Sequence, residues 1–157
     1  MARRLITLMI LAGFLYASEK LEVTADKIIS NQSQTVISGN VVIKREQDIL
    51  YAKKVTVKMG KDRRPSKYEA IGEVKFFVRT NDGRKMRGGG DKIIYDALKD
   101  EYRLLGKAWV QEDKKPNAIR GEEIVLNRKS GAASVVGGKK KPAKIIFTLE
   151  KQEEKKK

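Results

Sequence analysis

Histidine and cysteine are both absent from this 157-residue chain, so its reactive side chains are carboxylates, serine and threonine hydroxyls, lysines, arginines and five tyrosines. That removes the Ser-His-Asp and Cys-His triads, any thiol nucleophile, disulfides and zinc clusters. General acid–base work near neutral pH also loses its usual side chain. Paired carboxylates could still cleave a glycosidic bond. Most acids here, however, alternate with Lys or Arg along what read as solvated strand faces, which argues against an enzyme and implies no cofactor or metal. The formal charge of +15 points instead to a polyanionic partner: nucleic acid, anionic lipid or phosphorylated glycolipid. Part of that excess sits near the C-terminus, at Lys139 to Lys141, Lys144, Lys151 and Lys155 to Lys157, where it reads equally well as a solubilising tail.

The elements that position these charges repeat. A small residue, two charged residues and a β-branched residue recur as Ala25-Asp26-Lys27-Ile28, Ala52-Lys53-Lys54-Val55, Gly90-Asp91-Lys92-Ile93 and Gly121-Glu122-Glu123-Ile124. Between them Gly39, Gly72, Gly106 and Gly137 open or interrupt apolar runs at separations of 33, 34 and 31 residues. A period in the range of about 20–50 residues marks stacked supersecondary units that share one core. Period-2 alternation dominates, as in Leu21 to Ala25, Ile37 to Lys44, Val55 to Met59 and Val74 to Arg79, and no convincing helix follows the N-terminal segment. Turn residues separate the runs, with Asn81-Asp82-Gly83 the strongest hairpin signal. This is an all-β pattern. Stacking would set Ile28, Val55, Ile93 and Ile124 in one row and Ser30, Val57, Tyr95 and Leu126 in another. Strands led by the glycines would then form an opposite wall with Val41 and Ile43, Val74 and Phe76, and Ala108 and Val110. Two such walls enclose either a filled core or an open trough.

The first 17 residues have the anatomy of an export signal: Arg3 and Arg4, an apolar run from Leu5 to Leu15, and small residues at Ala17 and Ser18. The expected organisation is a signal at 1–17, a β domain at 18–149 and a charged tail at 150–157.

Several segments together resemble the periplasmic lipopolysaccharide-transport protein A family, also called the organic-solvent-tolerance A-like domain. They are Asn40 to Ile43 after Gly39, Ala52 to Val55, Gly90 to Asp100, Leu104 to Val110 and Arg120 to Ile124. The resemblance spans about residues 21–128. It implies an elongated antiparallel β-jellyroll (a β-taco) with an open hydrophobic groove, built from stacked strand repeats. It further implies binding of lipopolysaccharide through its acyl chains, head-to-tail self-association, and edge-strand pairing with an inner-membrane protein and an outer-membrane translocon. The protein would be periplasmic and would bind no nucleic acid.

Carried onto this chain, the implied lipid-facing residues are Leu21, Val23, Val41, Val57, Phe76, Ile93, Tyr95, Ala97 and Ala108. The implied assembly edges are Leu21, Val23 and Ala25 at one end and Ile145, Phe147 and Leu149 at the other. Alternation puts Phe76 inside, whereas the resemblance puts an interior aromatic at Phe77. Burying a lipid chain is worth about 0.8 kcal/mol per CH₂, so a chain of about 14 carbons represents roughly 11 kcal/mol; a multi-acylated lipid needs a continuous apolar path across water. Two other readings stay open. One is a membrane-anchored bitopic member of the same pathway, against which the short apolar run and the Lys-rich C-terminus argue. The other is a basic nucleic-acid-binding β protein, weakened by the export signal and by sparse aromatics.

Overall fold

The computed structural model describes residues 20–79, 83–127, 129–130 and 132–149. The candidate export signal, Asn81 and Asp82 of the expected tight turn, and the tail at 150–157 lie outside the described residues.

Ten antiparallel strands follow one another: β1 (Leu21–Thr24), β2 (Lys27–Ser30), β3 (Gln34–Arg45), β4 (Asp48–Met59), β5 (Pro65–Arg79), β6 (Lys85–Asp96), β7 (Glu101–Glu112), β8 (Ala118–Asn127), β9 (Ala133–Val136) and β10 (Lys144–Ile146). Among the described residues there is no helix. β3 to β8 form a plain meander in chain order. β1 and β2 lie end to end along β3, and β9 and β10 end to end along β8, so the sheet has two free ends and does not close.

Every long strand is interrupted at the same level, and the repeated phrase is the reason. On β3, β5 and β7 the interruption is a bulge of two left-handed residues: Gly39-Asn40 (φ 79° and 48°), Gly72-Glu73 (87° and 48°) and Gly106-Lys107 (75° and 48°). On β4, β6 and β8 the partner strand skips alternation there. Ala52 and Val55 both point inward, while the two lysines between them, Lys53 and Lys54, both point to solvent. Asp91-Lys92 and Glu122-Glu123 occupy the corresponding positions on β6 and β8. A strand that alternates strictly cannot present two consecutive residues to water. The small–charged–charged–branched phrase is therefore the local signature of a corner, and bulges of this kind bend a strand sharply.

The aligned corners form a crease that divides the sheet into two leaves. The first leaf holds β2, β9 and the halves of β3 to β8 carrying Ile37, Val55, Ala70, Ile93, Leu104 and Ile124; the second holds β1, β10 and the other halves. Inward residues on both sides of the crease, among them Ile37, Ile124, Val41 and Val74, are almost wholly buried and belong to one hydrophobic cluster. A single flat sheet cannot bury residues that far, so the leaves face each other across a shared core. The walls thus differ from the arrangement expected from the glycine-led runs. They are not built from alternate strands; each long strand crosses the crease and contributes to both.

The hairpins at the open margin of the first leaf share one device. Asn31, Asp62, Asp96 and Asn127 each accept a backbone N–H two or three residues further on, at 2.8–3.1 Å for the nearest. Such side-chain caps fix a turn without secondary-structure partners.

Candidate functional site: the apolar interior between the leaves

Two cross-strand rows line the inner face of the first leaf. Next to the crease runs Ile28–Ile37–Val55–Ala70–Ile93–Leu104–Ile124–Val135; nearer the margin runs Ser30–Thr35–Val57–Tyr68–Tyr95–Tyr102–Leu126–Ala133. Both rows contain the residues that the period sets in register. On the second leaf, Val41, Ala52, Val74 and Ala108 flank the crease, and Val23, Ile43, Leu50, Phe76, Gly88, Val110 and Ile119 form the next row out.

Burial grades across this interior. Around the crease the side chains are small or β-branched and closely packed, so Val41, Ile93 and Ala108 form a buried floor, and Val57 and Thr35 of the row nearer the margin are buried with them. Farther out, Val23, Ile43, Leu50, Phe76, Tyr68, Tyr102 and Leu126 are only half-buried, although they pack on the same cluster. The interior is filled along the crease and loosens toward the margins and the two ends of the sheet. Leu21, Tyr95 and Ala97 are half-buried as well. Ala97 falls just beyond β6, where its N–H continues the ladder to the Ser66 carbonyl at 2.9 Å. Phe76 faces inward, with its ring over Gly88, where any Cβ would collide with the ring. Phe77 is on the outer face and 46% exposed. Alternation gives the correct side for this pair.

Three tyrosines from adjacent strands stand together in the outer row. Tyr95 stacks on Tyr102 with ring centroids 4.5 Å apart and meets Tyr68 at 5.8 Å. The Tyr95 hydroxyl donates to Asp100 Oδ1 at 2.8 Å. Burial, with a smaller contribution from Tyr102, pushes the Tyr68 phenol above its ordinary pKa. Sequence reasoning singles out Tyr95 and misses Tyr68 and Tyr102. The signal was present, because each lies two residues before an inward aliphatic, Ala70 and Leu104. At the margin of the second leaf Glu112 is buried beside Met86. The Asn117 side-chain amide donates to it at 2.8 Å, and that bond, with Lys115 and Arg84 nearby, holds its carboxyl below the ordinary range against the opposing effect of burial.

The assembly candidates lie at the two ends of the strand order. Leu21 and Val23 are on β1, and Ala25 occupies the corner between β1 and β2. Ile145 is on β10, but Phe147 and Leu149 follow its end and are 64% and 80% exposed. The C-terminal edge therefore differs from the single strand Ile145 to Leu149. It consists of β9 and a short β10, and Gly137 lies between them rather than leading a strand of its own. Among the described residues no cluster of acidic side chains could hold a metal ion, and no helix is long and apolar enough to cross a membrane.

A protein-family profile described as LptA/(LptD N-terminal domain) LPS transport protein matches residues 22–132. The chain belongs to this family. The fold of this chain is similar to that in the crystal structure of LptH, the LptA homologous periplasmic component of the conserved lipopolysaccharide transport device from Pseudomonas aeruginosa. That likeness has a TM-score of 0.69 at 18% identity, covering 83% of this chain and 96% of LptH. At this identity it speaks for the fold: an open, creased β-jellyroll. No curated protein sequence matches the chain significantly. Membership in the LptA/LptD N-terminal family assigns the chain to lipopolysaccharide transport and to a family of transport proteins rather than enzymes.

Proposed function

We propose that the interior between the leaves receives the acyl chains of lipopolysaccharide, and that the protein is one span of a periplasmic bridge carrying this lipid from the inner to the outer membrane. The observation that carries this reading is the gradient of burial: a buried floor along the crease beneath outer rows in which Tyr68, Tyr95, Tyr102 and Leu126 on the first leaf, and Val23, Ile43, Leu50 and Phe76 on the second, are only half-buried. Acyl chains could insert between the outer rows and displace little more than mutual side-chain contacts. Phosphates and sugars would stay in water at the margins. Leu21, Val23, Phe76, Tyr95 and Ala97 are the lining residues in this reading; Val41, Ile93 and Ala108 are the floor beneath them, with Val57 buried beside it.

An unpaired strand edge is ordinarily an aggregation hazard. Here β1–β2 at one end and β9–β10 at the other would pair with a second copy head to tail, or with the membrane components at either end of the bridge. Residues 1–17 would direct export and 18–149 would form the domain. The test is site-specific photocrosslinking with lipopolysaccharide from Tyr95, with outward-facing Lys58 as the control. An adduct at Tyr95 and none at Lys58 is the expected result. Absence of adducts at Tyr95, Ile93 and Ala97 in folded protein would mean that the interior is only a core.

A further inference from the structure

The outer faces of the two leaves differ in chemistry. On the first leaf cations meet acids: Lys92 Nζ lies 3.0 Å from Glu69, and Arg103 reaches Glu123 at 3.3 Å and Glu101 at 3.4 Å. On the second leaf two outward rows run side by side. In one, Tyr51 stands opposite Lys75, with Arg120 two strands beyond Gly89; in the other, Phe77 stands between Ile49 and Arg87, with Lys44 beyond Ile49. Tyr51 and Phe77 are 40% and 46% exposed. Trp109 shares the first row, and its indole Nε1 would lie 3.1 Å from a Cβ at Gly89, so the missing side chain leaves room for the ring. The only acid in these two rows is Glu22, at the β1 end.

We propose that the outer face of the second leaf docks on an anionic phospholipid surface. Tyr51 and Trp109, each with an apolar body and a polar tip, suit the boundary between headgroups and acyl chains, and Phe77 adds an exposed apolar ring beside them. Val42 stands opposite Tyr51 and Ile49 opposite Phe77, which adds aliphatic surface beside these rings and favours a lipid boundary over single-stranded nucleic acid, whose binders present rings for base stacking. Each Lys or Arg near an anionic membrane strengthens binding about fivefold (about 1 kcal/mol), and the attraction fades within a Debye length. This surface is separate from the interior, so it neither requires nor excludes an acyl cargo.

Flotation of the full chain with phosphatidylcholine vesicles, with and without phosphatidylglycerol, tests the proposal in the absence of lipopolysaccharide. The N-terminal apolar run contributes equally to every variant. Binding that depends on phosphatidylglycerol and weakens with salt is expected. Lys75→Glu with Arg120→Glu should lower that anionic component about 25-fold or more, at about fivefold per cation lost. Tyr51→Ser with Phe77→Ser should weaken binding while leaving its salt dependence in place. All four positions are on an exposed sheet face, and circular dichroism checks that each variant is folded. Lys54→Glu with Lys58→Glu makes the same charge change on the first leaf and should cause a much smaller loss. An equal loss from that control pair, no anionic component in the parent chain, or a component untouched by the second-leaf variants would overturn the proposal.

Discussion

Gly72 offers the sharpest test of the crease. Its φ is +87°, and a Cβ built there would lie 2.6 Å from the Lys53 Cβ and 2.8 Å from its Cγ and Cδ. Gly72→Ala therefore carries two costs. The left-handed backbone costs an L-residue about 1–2 kcal/mol, and pushing aside a neighbour whose Cβ is fixed by its own strand costs about 1–3 kcal/mol, for about 2–5 kcal/mol in all. Gly83 separates the two. Its φ is +85°, but nothing lies within 4 Å of an added Cβ, so Gly83→Ala carries only the backbone cost. Both substitutions restrict the unfolded chain alike, and the difference between them isolates the contact across the corner. Urea unfolding should give a lower midpoint for Gly72→Ala at unchanged slope. Thermal midpoints should differ by about 2–12 °C, at about 2–4 °C per kcal/mol for a chain of this length. If Gly72→Ala is no worse than Gly83→Ala, close approach at the corner does not explain the repeated glycine.

Ile124→Ala, at a fully buried position in the crease row, should cost about 2–5 kcal/mol in denaturant unfolding, whereas Val136→Ala on the outward face should stay within about 0.5 kcal/mol. The carboxyl of Glu112 is held below its ordinary range by Asn117 and the nearby cations. Its stabilisation is present above the ordinary carboxylate pKa and is lost as pH falls through the lowered value, so Glu112→Gln should flatten the acid limb of a stability–pH curve. Tyr68 shows the opposite sign: its raised phenol keeps its proton in the folded state longer than in the unfolded one. Stability should therefore decline once pH exceeds about 10, and Tyr68→Phe should reduce that alkaline loss.

Much of this architecture was legible because alternation and the small–charged–charged–branched phrase are local signals. They give the strands, the inward rows of Ile28, Val55, Ile93 and Ile124, and the inward side of Phe76. The corner itself was not legible. Two consecutive charged residues at Lys53-Lys54 read as a solvated face, and only the register shows that they are the outside of a bend opposite Gly72-Glu73. β1 was legible in the alternation from Leu21 to Ala25, but its continuation as β2 and the split of the other edge into β9 and β10 escaped, since strands of three or four residues hold too few alternations to separate from a turn. The inward side of Tyr68 and Tyr102 was legible from their parity with Ala70 and Leu104, but their meeting with Tyr95 was not, because no spacing along the chain reveals which strand lies beside which.

Because the crease recurs with every pair of strands, the length of the interior is counted in hairpins. Eight strand positions give seven spacings, or about 34 Å at about 4.8 Å each. Inserting one further unit of the 33- or 34-residue period would lengthen the molecule by about 10 Å without changing either leaf, since each strand makes its main contacts with its neighbours in the order. A family built on this plan can tune its reach by whole hairpins, as a measuring rod is extended by segments, while its cross-section stays constant.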